Sequence, residues 1–496
     1  MSNGSILLAV DLGAGSGRVI AGLIHGGKLS LEEVHRFENE PVEKGDGLYW
    51  DLEGLWAGVV EGLRLSVERY GADQIRSIAV DTWGVDYGFI DQAGGFLGNL
   101  RHYRDPRTKG MYDDLGSRVS KEVIFKESGI QFMDINTLPQ MRAEVRDPDS
   151  VLPRADQFLM VPDLMNHRLT GRAFCERTNA STTQFYNPIK KDWSRALFDA
   201  LELPIKVAPT FVDPGMNLGP VTESLREQTG LSEETKVVTV GSHDTASAVA
   251  AVPAESESRF AYLSSGTWSL LGVELNEPII TSLARSYNFT NEVGVFDTIR
   301  LLKNINGLWL VQECRRVWRE EGNDWSYRDL ARMAAGAKRL QSFIDPDDER
   351  FAGRCDMPRV IQEYCRESGQ DVPMEPAQIL RLVTDSLAMK IRFVLERLEE
   401  VIGYEIEVLH IIGGGGQNDQ LNKSIASSIN RPVVVGPYEA TAAGNVMMQK
   451  VALGGFGSLS EGRDWIRNSF ETRLFEPAHP DEWATAYQRF QSLLNG

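Results

Sequence analysis

An aspartate followed by small residues stands near the start of the chain, where a phosphate and its metal ion could be bound. Asp11 ends the apolar run at residues 6–10, and glycines alternate with other residues over 13–17. Glycines let backbone N–H groups converge on a phosphate and let it approach closely, and a carboxylate at a strand end can hold Mg²⁺, largely through water. The segment therefore predicts a phosphate turn with Asp11 at the metal, although a glycine-rich β-hairpin would carry the same residues.

A second carboxylate, Asp244, stands where the apolar strand KVVTV gives way to a helix of small residues. The helix dipole and the free N–H groups keep a carboxylate in that position ionised. Such a group can accept the proton of an attacking sugar hydroxyl during phosphoryl transfer. Asp244 is therefore a candidate general base and the preceding His243 a candidate ligand contact. A plain helix cap and a structural histidine are the alternatives.

Two further segments could bind a nucleotide. Ser264–Ser269 forms the turn of a second predicted hairpin, whose hydroxyl and N–H groups could bind phosphates; an ordinary turn is the alternative. Gly413–Gly416 follows the strand VLHII and precedes a helix, a position suited to the adenosine half of ATP. Because four successive glycines cost much conformational entropy on folding, close approach of a ligand to the backbone explains them better than chance.

Candidate sugar contacts follow another predicted strand end, in the segment DTWGVD. Trp83 could stack on the apolar face of a sugar while Asp86 accepts hydrogen bonds from its hydroxyls. A core tryptophan and a turn aspartate are the alternative interpretation. Asn304 and Gln312 are polar residues beside apolar runs later in the chain, and an exposed helix surface would explain Gln312 equally well.

The acidic composition argues against several classes of partner. The chain has 496 residues, with 52 Lys and Arg against 70 Asp and Glu, and its net charge of −18 repels nucleic acid and anionic membranes. The four cysteines show neither C-x-x-C spacing nor the pattern of a secreted scaffold, and no apolar run is long enough for a signal peptide or a membrane span. We therefore expect a cytoplasmic protein with reduced thiols and no nucleic-acid or membrane partner.

Strand-like and helix-like stretches alternate along the chain, which predicts an α/β protein. Each half opens with a strand, a Gly/Ser-rich turn and a second strand, at residues 6–24 and 260–275. A polar stretch precedes the second of these hairpins, so we predict two domains, 1–250 and 251–496. Helical apolar patterns cover residues 376–402, 421–430, 439–453 and 480–494.

Taken in order, these motifs resemble the superfamily of sugar kinases, heat-shock chaperones and actin, and within it the FGGY branch of carbohydrate kinases. The Asp11 turn and Gly413–Gly416 are similar to the phosphate and adenosine signatures of that branch, and Asp244 falls at the position of its catalytic base. Tyr103 stands where many members have tryptophan. Six segments together resemble the members that act on L-rhamnulose: DTWGVD, YRDPRT, TNASTTQ, SHDTASA, YLSSGTWSL and KNINGLWLVQ.

The resemblance implies a two-lobed actin-like ATPase fold in which each lobe is a mixed sheet flanked by helices. The first lobe would bind the sugar and supply the first phosphate turn, and the second would bind the nucleotide. With ATP and Mg²⁺ as cofactors, the protein would phosphorylate the C1 hydroxyl of a small ketose, L-rhamnulose, to give a 1-phosphate, as a monomer or small homo-oligomer. L-fuculose or another ketose or polyol of the same family is the alternative substrate, and a non-catalytic actin-like nucleotide switch is the alternative class.

The same resemblance assigns a role to individual residues. They are Asp244 as general base, Asp11 at the metal, Gly84, Asp86, His243 and Asn304 at the sugar, and Ala14, Gly15, Ser16, Gly17, Arg18, Thr267, Gln312 and Gly414 at ATP.

Overall fold

The computed structural model describes residues 5–45, 47–255 and 258–495, and its contacts divide the chain into two compact units. Unit 1 comprises Met1–Ala251, Glu274–Leu301 and Ala440–Phe470, and unit 2 comprises Val252–Val273, Leu302–Glu439 and Glu471–Gly496. The chain therefore returns to unit 1 twice after residue 251. The expectation that residues 1–250 bind the sugar and supply the first phosphate turn, and that residues 251–496 bind the nucleotide, stays a prediction.

Strands and helices alternate along the chain, as the sequence predicts for an α/β protein. The strands are β1 Ile6–Leu12, β2 Ser16–His25, β3 Lys28–Glu38, β4 Pro41–Lys44, β5 Gly47–Trp50, β6 Ile75–Thr82, β7 Tyr87–Ile90, β8 Phe96–Leu97, β9 Gln157–Met160, β10 Cys175–Glu176, β11 Tyr186–Asn187, β12 Asp192–Trp193, β13 Phe211–Val212, β14 Asn217–Pro220, β15 Lys236–Val238, β16 Phe260–Ser265, β17 Trp268–Leu275, β18 Thr290–Val293, β19 Ile299–Asn306, β20 Val408–Ile412, β21 Val433–Val435 and β22 Arg473–Phe475. The helices are α1 Leu52–Tyr70, α2 Met111–Gly116, α3 Lys121–Ser128, α4 Thr137–Arg146, α5 Val161–Thr170, α6 Arg177–Ala180, α7 Arg195–Leu201, α8 Glu223–Thr229, α9 Asp244–Ala250, α10 Ser282–Ser286, α11 Trp309–Glu320, α12 Tyr327–Gly336, α13 Met357–Glu367, α14 Pro376–Ile402, α15 Asp419–Ile429, α16 Ala440–Ala452, α17 Leu459–Ser469 and α18 Pro480–Asn495.

The main sheet of unit 1 has the strand order β14-β15-β6-β1-β2-β3. Its central strand β1 has the sequence ILLAVDL, and all seven of its residues are buried, which is typical of a strand covered on both faces. It pairs antiparallel with β2 and parallel with β6. The hairpin predicted over residues 6–24 is thus confirmed, and the parallel partner brings a second strand end to the same edge of the sheet.

Helix α16 is attached to the central strands β1 and β6 of this sheet by hydrogen bonds from one of its side chains. The Gln449 amide donates to the carbonyl of Leu8 in β1 at 3.0 Å and accepts from the hydroxyl of Ser77 in β6 at 2.6 Å. The same helix lies against α9, because a Cβ atom on Gly444 would be only 1.8 Å from the carbonyl oxygen of Ser247. Glycine is therefore required where these two helices meet.

A seven-stranded sheet has the order β18-β19-β17-β16-β20-β21-β22, and most of its residues belong to unit 2. Helix α14 is the longest helix described in this unit. It begins at Pro376 after a capping box of Glu375 and Gln378, and it ends at Gly403, whose φ of 79° is left-handed. Proline at the first position and glycine after the last are the usual boundary signals of a helix. The predicted range of 376–402 is confirmed for this reason.

The other helical patterns are also confirmed to within a few residues, as α15, α16 and α18. The last of these, α18, packs within unit 2, where the rings of Phe490 and Phe343 lie 6.0 Å apart and the Tyr487 hydroxyl donates to the Glu396 carboxylate at 2.6 Å. In the described parts of the chain, no helix has both the length and the apolar character needed to cross a bilayer.

The Gly444 contact predicts a stability effect. Gly444→Ala should lower the free energy of unfolding by about 3 kcal/mol, because the added methyl group cannot coexist with the Ser247 carbonyl in the present packing of α9 on α16. Thermal and urea unfolding measure this change. The matched control is Gly116→Ala at the end of α2, where a Cβ would meet nothing within 4 Å and stability should hold or rise slightly. Equal stability of the two variants would contradict the described packing.

Candidate active site

Two carboxylates lie side by side at one edge of the unit 1 sheet. Asp11 in β1 and Asp81 in β6 are register partners in the parallel pair, and both are buried, with exposures of 6% and 0%. The carboxyl ends of neighbouring parallel strands form the ligand-binding edge in α/β sheets. The strand pairing alone therefore brings two carboxylates to the place where a site is expected.

The segment that leads into α9 joins the same edge. The Thr82 amide at the end of β6 donates to the Ser242 carbonyl at 2.8 Å, and Thr82 forms a parallel bridge with His243. Asp244 follows as the first residue of α9, where its Oδ1 accepts from the Thr245 amide and hydroxyl. A third carboxylate is thus placed beside the first two, and its side chain remains 32% exposed.

The charges of these groups act on one another. Burial, together with the negative charges of Asp11 and Asp244, raises the pKa of Asp81 well above 3.8, although a hydrogen bond from the Asn445 amide and the charge of Arg18 oppose this. Among the described residues the second carboxylate oxygen of Asp81, Oδ1, has no hydrogen-bond partner. The Asp11 carboxylate accepts from the Arg18 guanidinium. The edge therefore concentrates negative charge that is only partly balanced by the protein.

The turn after β1 is anchored by contacts at its two ends, and its middle residues are exposed. The Asn39 amide donates to the carbonyl of Gly13 at 2.8 Å. Gly17 is needed for packing, since a Cβ there would lie 2.3 Å from the Phe37 ring, whereas a Cβ on Gly15 would meet nothing within 4 Å. Ala14 and Gly15 are exposed. The segment 14–18 thus includes an accessible backbone that packing does not explain and that a phosphate could approach.

A buried carboxylate fixes the junction before Asp244. Glu176, which is fully buried, accepts from the amide and hydroxyl of Ser242 and from the hydroxyl of Thr178. The His243 amide donates to Thr178 Oγ1 at 3.2 Å, and the Asn179 side chain donates to the Ser242 carbonyl at 3.3 Å. These contacts leave the start of α9 little freedom, so the direction of the Asp244 side chain is set by the strands behind it.

Asp86 is placed differently from a simple sugar contact. It is fully buried and accepts from the indole N–H groups of Trp50 and Trp83 at 2.6 and 2.9 Å, from the Gln140 amide at 2.9 Å and from the Tyr103 backbone at 3.2 Å. Burial raises the pKa of Asp86 to about 6, and these hydrogen bonds limit the rise. In this structure the carboxylate orients two indole rings, and its contact with a sugar stays a prediction.

Gly84 lies next to this carboxylate, at the end of β6. A Cβ there would be 2.9 Å from the Thr182 side chain, and the Thr182 hydroxyl accepts from the amide of Val85, whose φ of 68° is left-handed. The backbone of this strand end is therefore fixed in an unusual conformation, a feature that functional sites often retain.

In unit 2, three of the residues predicted to bind ATP line one cavity of about 1090 Å³. The Thr267 hydroxyl and the Gln312 amide are 3.2 Å apart. Of the glycine run, Gly415 is needed because a Cβ would lie 2.2 Å from the Ser265 hydroxyl, while a Cβ on Gly414 would meet nothing within 4 Å. Gly414 also lines this cavity, and packing against neighbouring residues does not explain why it is a glycine. Asn304 lies on β19 in the same unit and is not one of the residues that line the cavity.

Several residues at these places were missed by the sequence analysis. In unit 1, nothing in the local pattern assigned a role to Asp81 or Asn445, which meet only through the fold. In unit 2, helices and strands distant in sequence add two aromatic rings and four cationic side chains to the cavity wall: Tyr327, Tyr438, Arg328, Arg332, Lys423 and Arg473. The only signal for them in the sequence is the charged face of α12, and an ordinary solvent-exposed helix has the same charge pattern.

Comparison with known proteins gives a family and a fold. Residues 6–251 match the N-terminal domain, and residues 261–453 the C-terminal domain, of the FGGY family of carbohydrate kinases. Relatives named rhamnulokinase occur in Bacteroides thetaiotaomicron (43% identical, covering 98% of this chain and 99% of the relative), Oceanobacillus iheyensis (39%, covering 94% and 97%) and Bacillus subtilis (38%, covering 99% and 99%).

Solved structures with the same fold include a ligand-bound xylulose kinase and a gluconate kinase, both from Lactobacillus acidophilus. The first has a TM-score of 0.81 at 16% identity and the second 0.80 at 17%, and each alignment covers 99% of this chain and 97% of the other. A glycerol kinase from Plasmodium falciparum, solved with ADP, has a TM-score of 0.77 at 15% identity, with 99% and 97% covered. The predicted two-domain actin-like fold with mixed sheets and flanking helices is confirmed.

The carboxylate crowding predicts a pH-dependent stability difference. The folded protein holds the Asp81 proton more tightly than the unfolded chain, so its contribution is complete at low pH and is lost as the pH rises from 3.8 through the raised pKa. Asp81→Asn removes this effect, so its stability advantage over the parent should grow across that window by up to about 1.4 kcal/mol per pH unit. Unfolding measured over a pH series tests this.

The exposed Asp73 provides the control for this series. Asp73→Asn should follow the parent at every pH. If Asp81→Asn also stays parallel to the parent, the carboxylates do not interact as described.

Proposed function

The chain belongs to the FGGY family of carbohydrate kinases, and on that premise we propose that it transfers the γ-phosphoryl group of ATP to the C1 hydroxyl of L-rhamnulose. The ATP-dependent sugar kinase activity is common to the family, and the predicted enzyme class is confirmed. The observation that carries the finer proposal is the convergence of Asp244 with the strand ends at Asp11 and Asp81, in a chain whose rhamnulokinase relatives align over nearly its whole length.

Asp244 acts as the general base in this proposal. Its side chain is partly exposed, while Thr245 and the buried junction behind it hold it in one direction. The carboxylate orients the C1 hydroxyl and accepts its proton as the hydroxyl oxygen attacks the γ-phosphorus. In a loose phosphoryl-transfer transition state this proton leaves late, so the base also contributes by its position and charge.

In this proposal two groups of residues bind the nucleotide. The open turn Ala14–Arg18 receives phosphate oxygens through its N–H groups. Thr267, Gln312 and Gly414 contact the nucleotide in the cavity of unit 2, whose aromatic and cationic wall suits a flat base and an anionic chain.

Asp11 is the residue that would hold Mg²⁺. In the described parts of the chain, no group of three or more His, Cys, Asp or Glu side chains is arranged around a metal position. One carboxylate beside an open phosphate turn fits Mg²⁺, which keeps several waters and binds through one or two carboxylates and substrate phosphates. When bound, the ion would supply positive charge to the phosphate oxygens.

The sugar is assigned to Gly84, Asp86, His243 and Asn304. Asp86 contributes first by fixing the indole rings at the end of β6, since rings held in place present a defined apolar face to a sugar.

A coupled assay of ADP release tests the proposal. With purified protein, ATP and Mg²⁺, L-rhamnulose should stimulate ADP release more than L-fuculose, other ketoses or polyols. Asp244→Asn should reduce kcat by about 100- to 10,000-fold with nucleotide binding retained, because it removes the base while preserving the shape of the side chain.

Three results would decide against parts of this proposal. Stronger stimulation by L-fuculose would replace the substrate and leave the chemistry intact. A near-normal rate in Asp244→Asn would remove the assigned base. No ketose or polyol stimulation at all would contradict the kinase activity itself.

A further inference from the structure

The imidazole of His243 has charged groups on both sides. Its Nε2 is 3.5 Å from Oδ1 of Asp244. Its Nδ1 is 3.2 Å from Nη2 of Arg300 and also 3.2 Å from Oε2 of Glu292. All four residues belong to unit 1, and the sequence analysis gave no role to Arg300 or Glu292. The group that is bonded to Nδ1 decides which ring nitrogen carries the proton.

Arg300 is the hydrogen-bond partner of Nδ1. Its Nη2 donates to the ring at 3.2 Å and to the Val293 carbonyl at 3.1 Å, and its Nε donates to the same carbonyl. Glu292 lies within ion-pair distance of Nη2, at 3.1 Å, yet its Oε2 has no hydrogen-bond partner among the described residues. The carboxylate therefore balances the charge of Arg300 without accepting a hydrogen bond from the imidazole.

The contact with Arg300 defines the tautomer of His243. Because a guanidinium has donors only, Nδ1 accepts with its lone pair, and the proton of the neutral ring is on Nε2. The side chains of His243 and Asp244 reach the surface together, with exposures of 11% and 32%. A separation of 3.5 Å between Nε2 and Oδ1 is longer than a well-formed hydrogen bond. The structure thus presents an N–H donor to a ligand directly beside the candidate base.

The buried ion pair is difficult to explain by stability alone. Arg300 is 0% exposed, and its Nη1 has no hydrogen-bond partner in the described parts of the chain. Burying a guanidinium and a carboxylate costs several kcal/mol per ion before pairing, and well-packed apolar residues in the same space are often equally or more stable. A role of Arg300 in the site therefore explains the pair better than packing does.

Resting on the proposed function, we propose that Arg300 is a positioning residue that holds His243 with its proton on Nε2, so that this N–H group donates to an oxygen of the ketose. Asp244, an acceptor, binds the hydrogen of the C1 hydroxyl. His243, a donor 3.5 Å away, binds the lone pair of a sugar oxygen close to that hydroxyl. This hydrogen bond forms in the ground state as well as in the transition state, so its loss raises the KM for the sugar more than it lowers kcat.

Arg300→Met tests the inference, because it removes the donor and leaves a side chain of similar length. Glu292 is then the group 3.2 Å from Nδ1, so the proton should move to Nδ1 and leave Nε2 as an acceptor. An acceptor at Nε2 repels the sugar oxygen that it should bind. The value of kcat/KM for L-rhamnulose should therefore fall about 10- to 100-fold, mostly through the KM for the sugar, with the KM for ATP unchanged.

Nitrogen NMR of the imidazole observes the tautomer directly. The chain has seven histidines, so selective labelling gives few ring signals, and those of His243 are identified by their loss in His243→Gln. The parent protein should show a protonated Nε2 and an unprotonated Nδ1. Arg300→Met should show the reverse, which a purely structural role of Arg300 would not produce.

A double variant keeps the test decisive if the unpaired Glu292 destabilises Arg300→Met. Arg300→Met combined with Glu292→Gln removes both buried charges, and the introduced amide can donate to Nδ1 in place of the guanidinium. This variant should recover stability, the proton on Nε2 and most of kcat/KM. Glu292→Gln alone should keep the ring signals and the kinetics of the parent, because Arg300 still donates to Nδ1, although the unpaired guanidinium costs stability.

Arg463→Met is the matched control. Arg463 also pairs with a largely buried carboxylate, that of Glu274 at 2.9 Å, and also donates to a backbone carbonyl, that of Val249 in α9 at 3.1 Å. Its loss should lower stability as the loss of Arg300 does, because a buried charge again remains unpaired. The His243 ring signals and the KM for L-rhamnulose should stay at their parent values.

The inference is overturned if the parent carries the His243 proton on Nδ1, if Arg300→Met keeps it on Nε2 or keeps the parent KM for the ketose, or if Arg463→Met reproduces the same losses. A parent protein with no ketose-stimulated ADP release would instead overturn the proposed function, and the contact between His243 and the sugar with it. The ring signals of the parent and of Arg300→Met would then still decide whether Arg300 fixes the proton on His243.

Discussion

Asp11, Asp81 and Asp244 lie at one edge of the unit 1 sheet, where specific contacts with the rest of that unit hold them. Asp81 is wholly buried beside Asp11 and close to Asp244, an arrangement that like charges and desolvation both oppose. The opposing contacts come from the framework: Asn445 of α16 donates to Asp81, and Arg18 of β2 pairs with Asp11. The fold thus keeps these carboxylates close together, although their mutual repulsion would separate them in a flexible chain. Reactive sites commonly depend on a stable scaffold in this way.

The glycines divide into those that packing requires and those that it does not. Gly17 and Gly415 have no room for a side chain because Phe37 and Ser265 lie too close, so packing alone requires glycine at these two positions. Gly15 and Gly414 have open space around them. Glycine costs stability without a compensating contact, so the open positions are the ones that close approach of a ligand explains. This distinction is visible only once the neighbours of each glycine are known.

Local signals in the sequence were sufficient for much of the fold. The helix over 376–402 was predicted from its apolar periodicity, and Pro376 and Gly403 mark its ends in the structure. Both hairpins followed from apolar runs around Gly/Ser turns. The placement of Asp244 at a helix start was likewise local. The family followed from the order of several weak motifs, none of which was specific alone.

Contacts between distant segments were not predictable in the same way. Glu292 and Arg300 reach His243 only because β18 and the first residues of β19 belong to unit 1, although they follow the second hairpin in sequence. Asp86 was predicted to contact the sugar, with a turn aspartate as the alternative, yet the fold surrounds it with donors from Trp50 and Gln140. Such pairings depend on topology, and periodicity or turn chemistry carries no information about them.

The most direct test of the account is the structure of the product made from ATP and L-rhamnulose. Phosphorus and proton NMR of the reaction mixture identify the esterified carbon, because a phosphate on C1 couples to the two protons of a methylene group. The account predicts one new ester with that coupling, formed in step with ADP. Release of inorganic phosphate without an ester, or an ester coupled to a single methine proton, would contradict it.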